Sequence, residues 1–177
     1  MLAFGIDPGS RFTGWGVIAH EGSRYEMVDC GVLAVGERRP LADRLRDIHL
    51  GLEALLERHA PDAVFLESIF HHKSARSALV LGHARGVALL ACGLRELPLV
   101  EISPSEVKKA VTGKGRADKG QVQAMVKVLL GLPEAAQEDA SDALAVAFAG
   151  AARARFALLA RPPAPPRGRR RSLRGRR

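Results

Sequence analysis

Residues 1–20 read MLAFGIDPGSRFTGWGVIAH. The first six suit a strand buried on both faces, and the run ends on a carboxylate, Asp7. A buried carboxylate is costly unless a hydrogen bond or a cation compensates it. The Asp-Pro-Gly-Ser that follows is turn chemistry, with Pro8 setting φ and Gly9 accepting a positive φ. FTGWGVIAHEG (12–22) and RYEMVDCGVLAV (24–35) then read as two more strands, so the domain opens as a three-stranded meander.

Working outward, apolar residues recur at helical period after Pro40: Leu41, Leu45, Ile48, Leu52, Leu55 and Leu56. PDAVFLE (61–67) is another buried strand, and it too ends on a carboxylate, Glu67. A helix rich in Ala and Gly is predicted over 73–95, a fifth strand over 98–103, short helices over 104–112 and 118–130, and a last helix over 137–159. Strands that first follow one another and then alternate with helices give a mixed sheet with helices on its faces, an α/β class. In such sheets ligands gather beyond the carboxyl ends of the parallel strands.

The 177 residues favour one domain with a real core, and 47% apolar content fits a soluble globular chain. No secretory signal pattern is visible at the start. SALVLGHARGVALLACGL (77–94) carries His83 and Arg85 and reads as too polar and too short for a membrane span. Cys30 and Cys92 match no metal spacing, which points to a reduced, cytoplasmic setting. The formal charge of +8 lies wholly in RPPAPPRGRRRSLRGRR (161–177), which holds eight arginines and no acid. The chain therefore divides into a domain of residues 1–160, formally neutral, and a Pro/Arg-rich tail of 161–177, expected to be disordered and to favour nucleic acid.

Three apolar segments thus deliver acid where acid is locally unwelcome. Asp7 and Glu67 end strands, and Asp139 and Asp142 lie three apart, on one face of the last helix. Should the first and fourth strands be neighbours, all four meet at one end of the sheet. Four clustered carboxylates raise one another's pKa unless a hard cation neutralises them. Oxygen donors without Cys or His suit Mg²⁺ or Mn²⁺. Two such ions per site, about 3.5–4 Å apart, stabilise the attacking and leaving oxygens of a phosphodiester displacement. Each acid also has an ordinary use: Asp7 as a turn former, Glu67 as a cap, the Asp pair as partners of the helix dipole. Their joint occurrence at two strand ends and one helix face is harder to explain that way.

GIDPGSRFTGWGV, FLESIF, SALVLGHARGVAL, SPSEVKKAVTGKGRADKGQVQAMV and DASDALAVA, in this order and spacing, resemble the RuvC family of bacterial Holliday junction resolvases. The resemblance covers nearly all of residues 1–155. It implies an RNase H-like fold with a five-stranded mixed sheet flanked by helices, and a homodimer built on the helix at 73–95. It also implies paired, metal-dependent nicking of four-way DNA junctions in recombination and repair, leaving 5′-phosphate ends. The acidic set carried over is Asp7, Glu67, Asp139 and Asp142. Lys108 and Lys119 correspond to lysines near the scissile phosphate, with Lys119 in the catalytic set. Phe70 corresponds to an aromatic that stacks on unpaired bases at the crossover. The resemblance also implies the RuvA and RuvB branch-migration proteins as candidate partners. Ser68 departs from the pattern, where family members often carry Gln.

The residues themselves add positive charge around this set. VKKAVTGKGRADKG (107–120) holds Lys108, Lys109, Lys114, Arg116 and Lys119 against one acid, Asp118, and reads as a phosphate-contacting segment. It lacks the spacing of a P-loop. Lys73 and Arg76 follow Phe70 as further DNA contacts. Core packing is the competing use of Phe70, and a solvated face that of each lysine. His71 and His72 lack the partners of a zinc site. Two other functions compete: an RNase H-like hydrolase acting on RNA, and a non-catalytic nucleic-acid binder working through its tail. A binder gains nothing from four acids that repel phosphate.

Overall fold

The computed structural model describes residues 1–36, 38–68 and 74–159. Its elements run β1 (Leu2–Asp7), β2 (Phe12–Glu21), β3 (Arg24–Ala34), α1 (Leu41–His59), β4 (Ala63–Glu67), α2 (Ala75–Leu94), β5 (Leu99–Ile102), α3 (Pro104–Thr112), α4 (Lys119–Leu129) and α5 (Glu138–Leu159). They form one five-stranded sheet in the order β3-β2-β1-β4-β5. β1, β2 and β3 pair antiparallel, while β1–β4 and β4–β5 are parallel. This mixed sheet with flanking helices is the RNase H-like α/β architecture.

Alternation along the strands sorts side chains onto two faces. Phe4, Ile6, Trp15, Val17, Val64 and Leu66 face one way, covered by Ile48, Leu52 and Leu56 of α1 and by Ala84, Ala88 and Cys92 of α2. Ala3, Ile18, Phe65 and Ile102 face the other, covered by α3, α4 and α5 through Val107, Val111, Val126 and Leu144. On this second face the sheet presents glycine under α5. A Cβ built on Gly5 would sit 2.1 Å from the carbonyl oxygen of Ala143, and one on Gly14 would sit 2.0 Å from that of Asp139. One on Gly16 would come within 2.8 Å of Leu144. The α5 backbone therefore rests directly on β1 and β2, and Ala143, Ala145 and Ala147 are small enough to let it. Gly150 returns the accommodation: a Cβ there would lie 2.1 Å from the Phe65 ring.

Two readings need correction. Gly9 does not adopt a positive φ, which among described glycines is confined to Gly22, Gly113 and Gly131. It is required for space, since a Cβ would lie 1.9 Å from the carbonyl oxygen of Phe12. The stretch read as too short for a membrane is part of a 20-residue helix, α2, whose hydropathy of 1.5 makes it long and apolar enough to cross one. In this fold it instead buries Ala84, Ala88, Ala91 and Cys92 against α1 and the sheet. Phe70, His71, His72, Lys73 and the basic segment 161–177 lie outside the described residues.

Candidate active site

β1 and β4 run side by side in parallel, with Ile6 opposite Leu66. The next residues, Asp7 and Glu67, emerge together from the same end of the sheet, and their carboxyl groups are hydrogen-bonded. Burial, then the charge of Glu67 and of Asp142, pushes the Asp7 pKa up to about 8. Burial also raises Glu67, with Asp142 adding to the effect and the hydrogen bond from Asp7, Lys119 and Lys108 opposing it. Burial and the neighbouring acids therefore favour the protonated form of this pair.

The second acidic pair arrives through the glycine seat. Gly14 is the β2 partner of Asp7, and the Asp139 carbonyl stands directly over it. Asp139 is thus fixed by main-chain contact above the β1 tip, and Asp142 follows on the same helix face. Burial raises the Asp142 pKa, against hydrogen bonding by Lys119 and with the charges of Glu138 and Asp139.

Lys119 is the first residue of α4. The capping box of Asp118 and Gln121 fixes that helix start. Its Nζ lies 2.7 Å from Asp142 Oδ2 and 2.6 Å from Glu138 Oε1. Partial burial disfavours the ammonium, but these two carboxylates outweigh it and hold its pKa above the ordinary lysine value. Lys108 enters from α3, and a cavity of about 220 Å³ is lined by Glu67, Lys108, Lys119 and Asp142 over an apolar floor of Val107 and Val122.

The loops beside the acids are stapled. Thr13 is buried and donates through Oγ1 to the Gly9 carbonyl at 2.7 Å. Arg44 of α1 donates to the Ser10 carbonyl at 3.0 Å. Ser68, in the position where the resembled family often has Gln, turns its hydroxyl back to the Ile102 carbonyl at 3.3 Å.

Of the residues singled out in the sequence, Asp7, Glu67, Asp139, Asp142, Lys108 and Lys119 converge. Lys109 does not: it lines a separate groove with Ile102, Ala149 and Arg153, because its neighbour Lys108 takes the side of α3 that faces the acids. Lys114, Arg116 and Arg76 are exposed. Sequence reading missed Glu138, whose signal was its place four residues before Asp142. It also missed Thr13.

Among the described residues no three His, Cys, Asp or Glu side chains already stand as a closed metal cluster. Asp142 is turned to Lys119. The donor chemistry nonetheless fits a divalent cation. The acids are oxygen donors from three separate elements, and Asp7, Glu67 and Asp142 carry raised pKa values because burial and mutual repulsion outweigh the opposing charge of Lys119 and Lys108.

Residues 3–150 match the family model of crossover junction endodeoxyribonuclease RuvC. A crossover junction endodeoxyribonuclease RuvC from Syntrophotalea carbinolica is 55% identical over 148 residues, covering 84% of this chain and 92% of the relative. The structure of T. thermophilus RuvC in complex with a Holliday junction substrate superposes with a TM-score of 0.85 at 34% identity, covering 89% of this chain and 96% of that one. The yeast mitochondrial Holliday junction resolvase shares the fold, with a TM-score of 0.60 at 15% identity.

The raised carboxyl pKa values set a pH dependence. Asp7 has a folded pKa of about 8 against an ordinary 3.8, so the folded chain keeps a proton that the unfolded chain has released. The stability that Asp7 contributes in EDTA is therefore fully present below about pH 4 and is lost as pH rises through about 8. Thermal melts in EDTA should show this contribution falling between pH 5 and 8 in the wild type and absent in Asp7→Asn, which should melt higher than wild type at pH 8. Equal melting of the two proteins across that range would contradict it.

Proposed function

The chain belongs to the RuvC family of crossover junction endodeoxyribonucleases, and on that premise we propose how its acids, lysines and surface helix divide the work of cutting a junction. The protein is a metal-dependent endonuclease that resolves four-way DNA junctions. The finer assignment is that Asp7, Glu67, Asp139 and Asp142 together hold two Mg²⁺ or Mn²⁺ ions. Convergence of these four acids from β1, β4 and α5 onto one end of the sheet carries the reading. Bound there, the ions would supply charge stabilisation for the attacking and leaving oxygens of the phosphodiester.

The chain's own groups do the rest. With an ion bound, Asp7 and Glu67 would both serve as carboxylates, the proton their raised pKa values favour passing to solvent water. Lys119 and Lys108 place positive charge at the cavity mouth, where a phosphate enters and gains charge in the transition state. Lys114 and Arg116, on the exposed loop between α3 and α4, and Arg76, at the start of α2, contact backbone phosphates and so position the DNA. Stacking of Phe70 on a crossover base belongs to this proposal on the sequence resemblance alone.

The dimer is proposed on α2. Leu79 is 67% exposed and Leu90 54%, too much apolar surface for a helix facing water. They border a groove of about 850 Å³ with Leu45, Ala78, Gly82 and Gly86, where the absence of large side chains lets a second helix approach closely. The occupant we assign is the α2 of a second copy, which gives a two-fold assembly with one active site for each of two cuts.

Asp7→Asn, Glu67→Gln and Asp139→Asn should each slow junction cleavage in Mn²⁺ by at least about a hundredfold, the scale of a lost transition-state charge contact. Junction binding in Ca²⁺ should persist, because the phosphate contacts remain. Full nicking by any of the three overturns the ligand assignment. For the dimer, sedimentation velocity should find two chains in the wild type and one in the double variant Leu79→Glu, Leu90→Glu. A double variant that still sediments as a dimer places the interface elsewhere.

A further inference from the structure

We propose that Glu138 is a positioning residue that holds Lys119 at the mouth of the active site while Asp142 is given over to a divalent ion. The proposal rests on the reading that Asp142 is a metal ligand. Lys119 Nζ is shared between two carboxylates, at 2.7 Å from Asp142 Oδ2 and 2.6 Å from Glu138 Oε1. These acids are one turn apart on α5, so one ammonium bridges both. They differ in setting: the Asp142 side chain is 23% exposed and that of Glu138 66%.

An ammonium and a divalent cation compete for the same Asp142 lone pairs, and like charges at that separation repel. An ion held by Asp142 would therefore displace Lys119 from it. With Asp142 as its one partner, the long Lys119 side chain would regain its rotamer freedom and leave for water. Glu138 stands one turn closer to solvent and outside the acidic set. It can keep the ammonium within reach of the cavity shared with Lys108 and Glu67. By sharing the ammonium it also weakens the hold of Lys119 on Asp142, which eases ion entry. Helix-dipole stabilisation by an acid in the first turn of α5 is the purely structural alternative. That role does not depend on Lys119, and this difference makes the two separable.

The experiment is a double-mutant cycle with wild type, Glu138→Gln, Lys119→Met and the double variant. Each is measured for single-turnover cleavage of a synthetic four-way junction at saturating Mn²⁺, for junction binding in Ca²⁺, and for the Mn²⁺ concentration giving half the maximal rise in Tm. Glu138→Gln should slow cleavage about three- to fivefold, the scale of one exposed ion pair. It should also raise the Mn²⁺ requirement, with junction binding unchanged. Neither effect should appear when Glu138→Gln is added to Lys119→Met, and Glu138→Asp should restore most of the rate. Equal slowing in both backgrounds, or none in the single variant, overturns the proposal. A Lys119→Met protein that cleaves at the wild-type rate overturns it at Lys119. Mn²⁺-independent cleavage by the wild type instead defeats the underlying metal reading.

Discussion

The backbone of α5 lies in direct contact with the backbones of β1 and β2, and the rest of the site depends on that contact. Helices usually stand off a sheet by the length of their side chains. Here Gly5, Gly14 and Gly16 remove the side chains from the sheet, and Ala143 and Ala147 shorten those of the helix. The gain is dense packing of small groups, each contributing little and together a buried interface. The larger consequence is positional. Asp7 pairs with Gly14, and Gly14 carries Asp139 above it, so two carboxylates far apart in sequence are linked by main chain alone. A ligand set held by backbone contact keeps its geometry when side chains elsewhere move.

That geometry works against the stability of the free carboxylates. Asp7 and Glu67 are hydrogen-bonded to each other and Asp142 contacts Lys119, while burial and mutual charge raise the pKa of all three acids. Local destabilisation of this sort is expected where a protein is shaped to bind something charged. Lys119 is a counter-charge for Asp142 and Glu67, and on the proposed function it also supplies positive potential for phosphate. The capping boxes of Ser103 and Asp118 fix where α3 and α4 begin, and so where Lys108 and Lys119 stand on them.

Much of this was legible in the chain. Period-two alternation and apolar runs located the strands, and acids at the ends of two such runs marked the site before any topology was known. The pairing of β1 with β4 is what turned two unrelated strand ends into neighbours, and sequence offered it only as a condition. Local reasoning failed where the cause was long-range. Gly9 looked like a φ requirement and is a steric one, set by the returning strand at Phe12. Gly14 and Gly16 looked like ordinary residues of a strand, because their partner helix lies more than a hundred residues away in the chain. Local sequence alone did not separate Lys108 from Lys109, which only the family resemblance distinguished; with α3 seated, they line different grooves. Glu138 was passed over because a glutamate at a helix start explains itself locally.

The central claim is that backbone contact at Gly14 sets the ion site. Calorimetric titration of Mn²⁺ into wild type, Gly14→Ala and a control, Gly93→Ala, tests it most directly, since Gly93 has open space where its Cβ would go. A methyl on Gly14 must push the Asp139 turn away from β1. Gly14→Ala should therefore bind Mn²⁺ about tenfold or more weakly, the effect of disturbing the groups that support metal ligands. Circular dichroism and junction affinity in EDTA should stay those of the wild type, and Gly93→Ala should bind as the wild type does. A folded Gly14→Ala protein that binds Mn²⁺ with wild-type affinity would contradict the account.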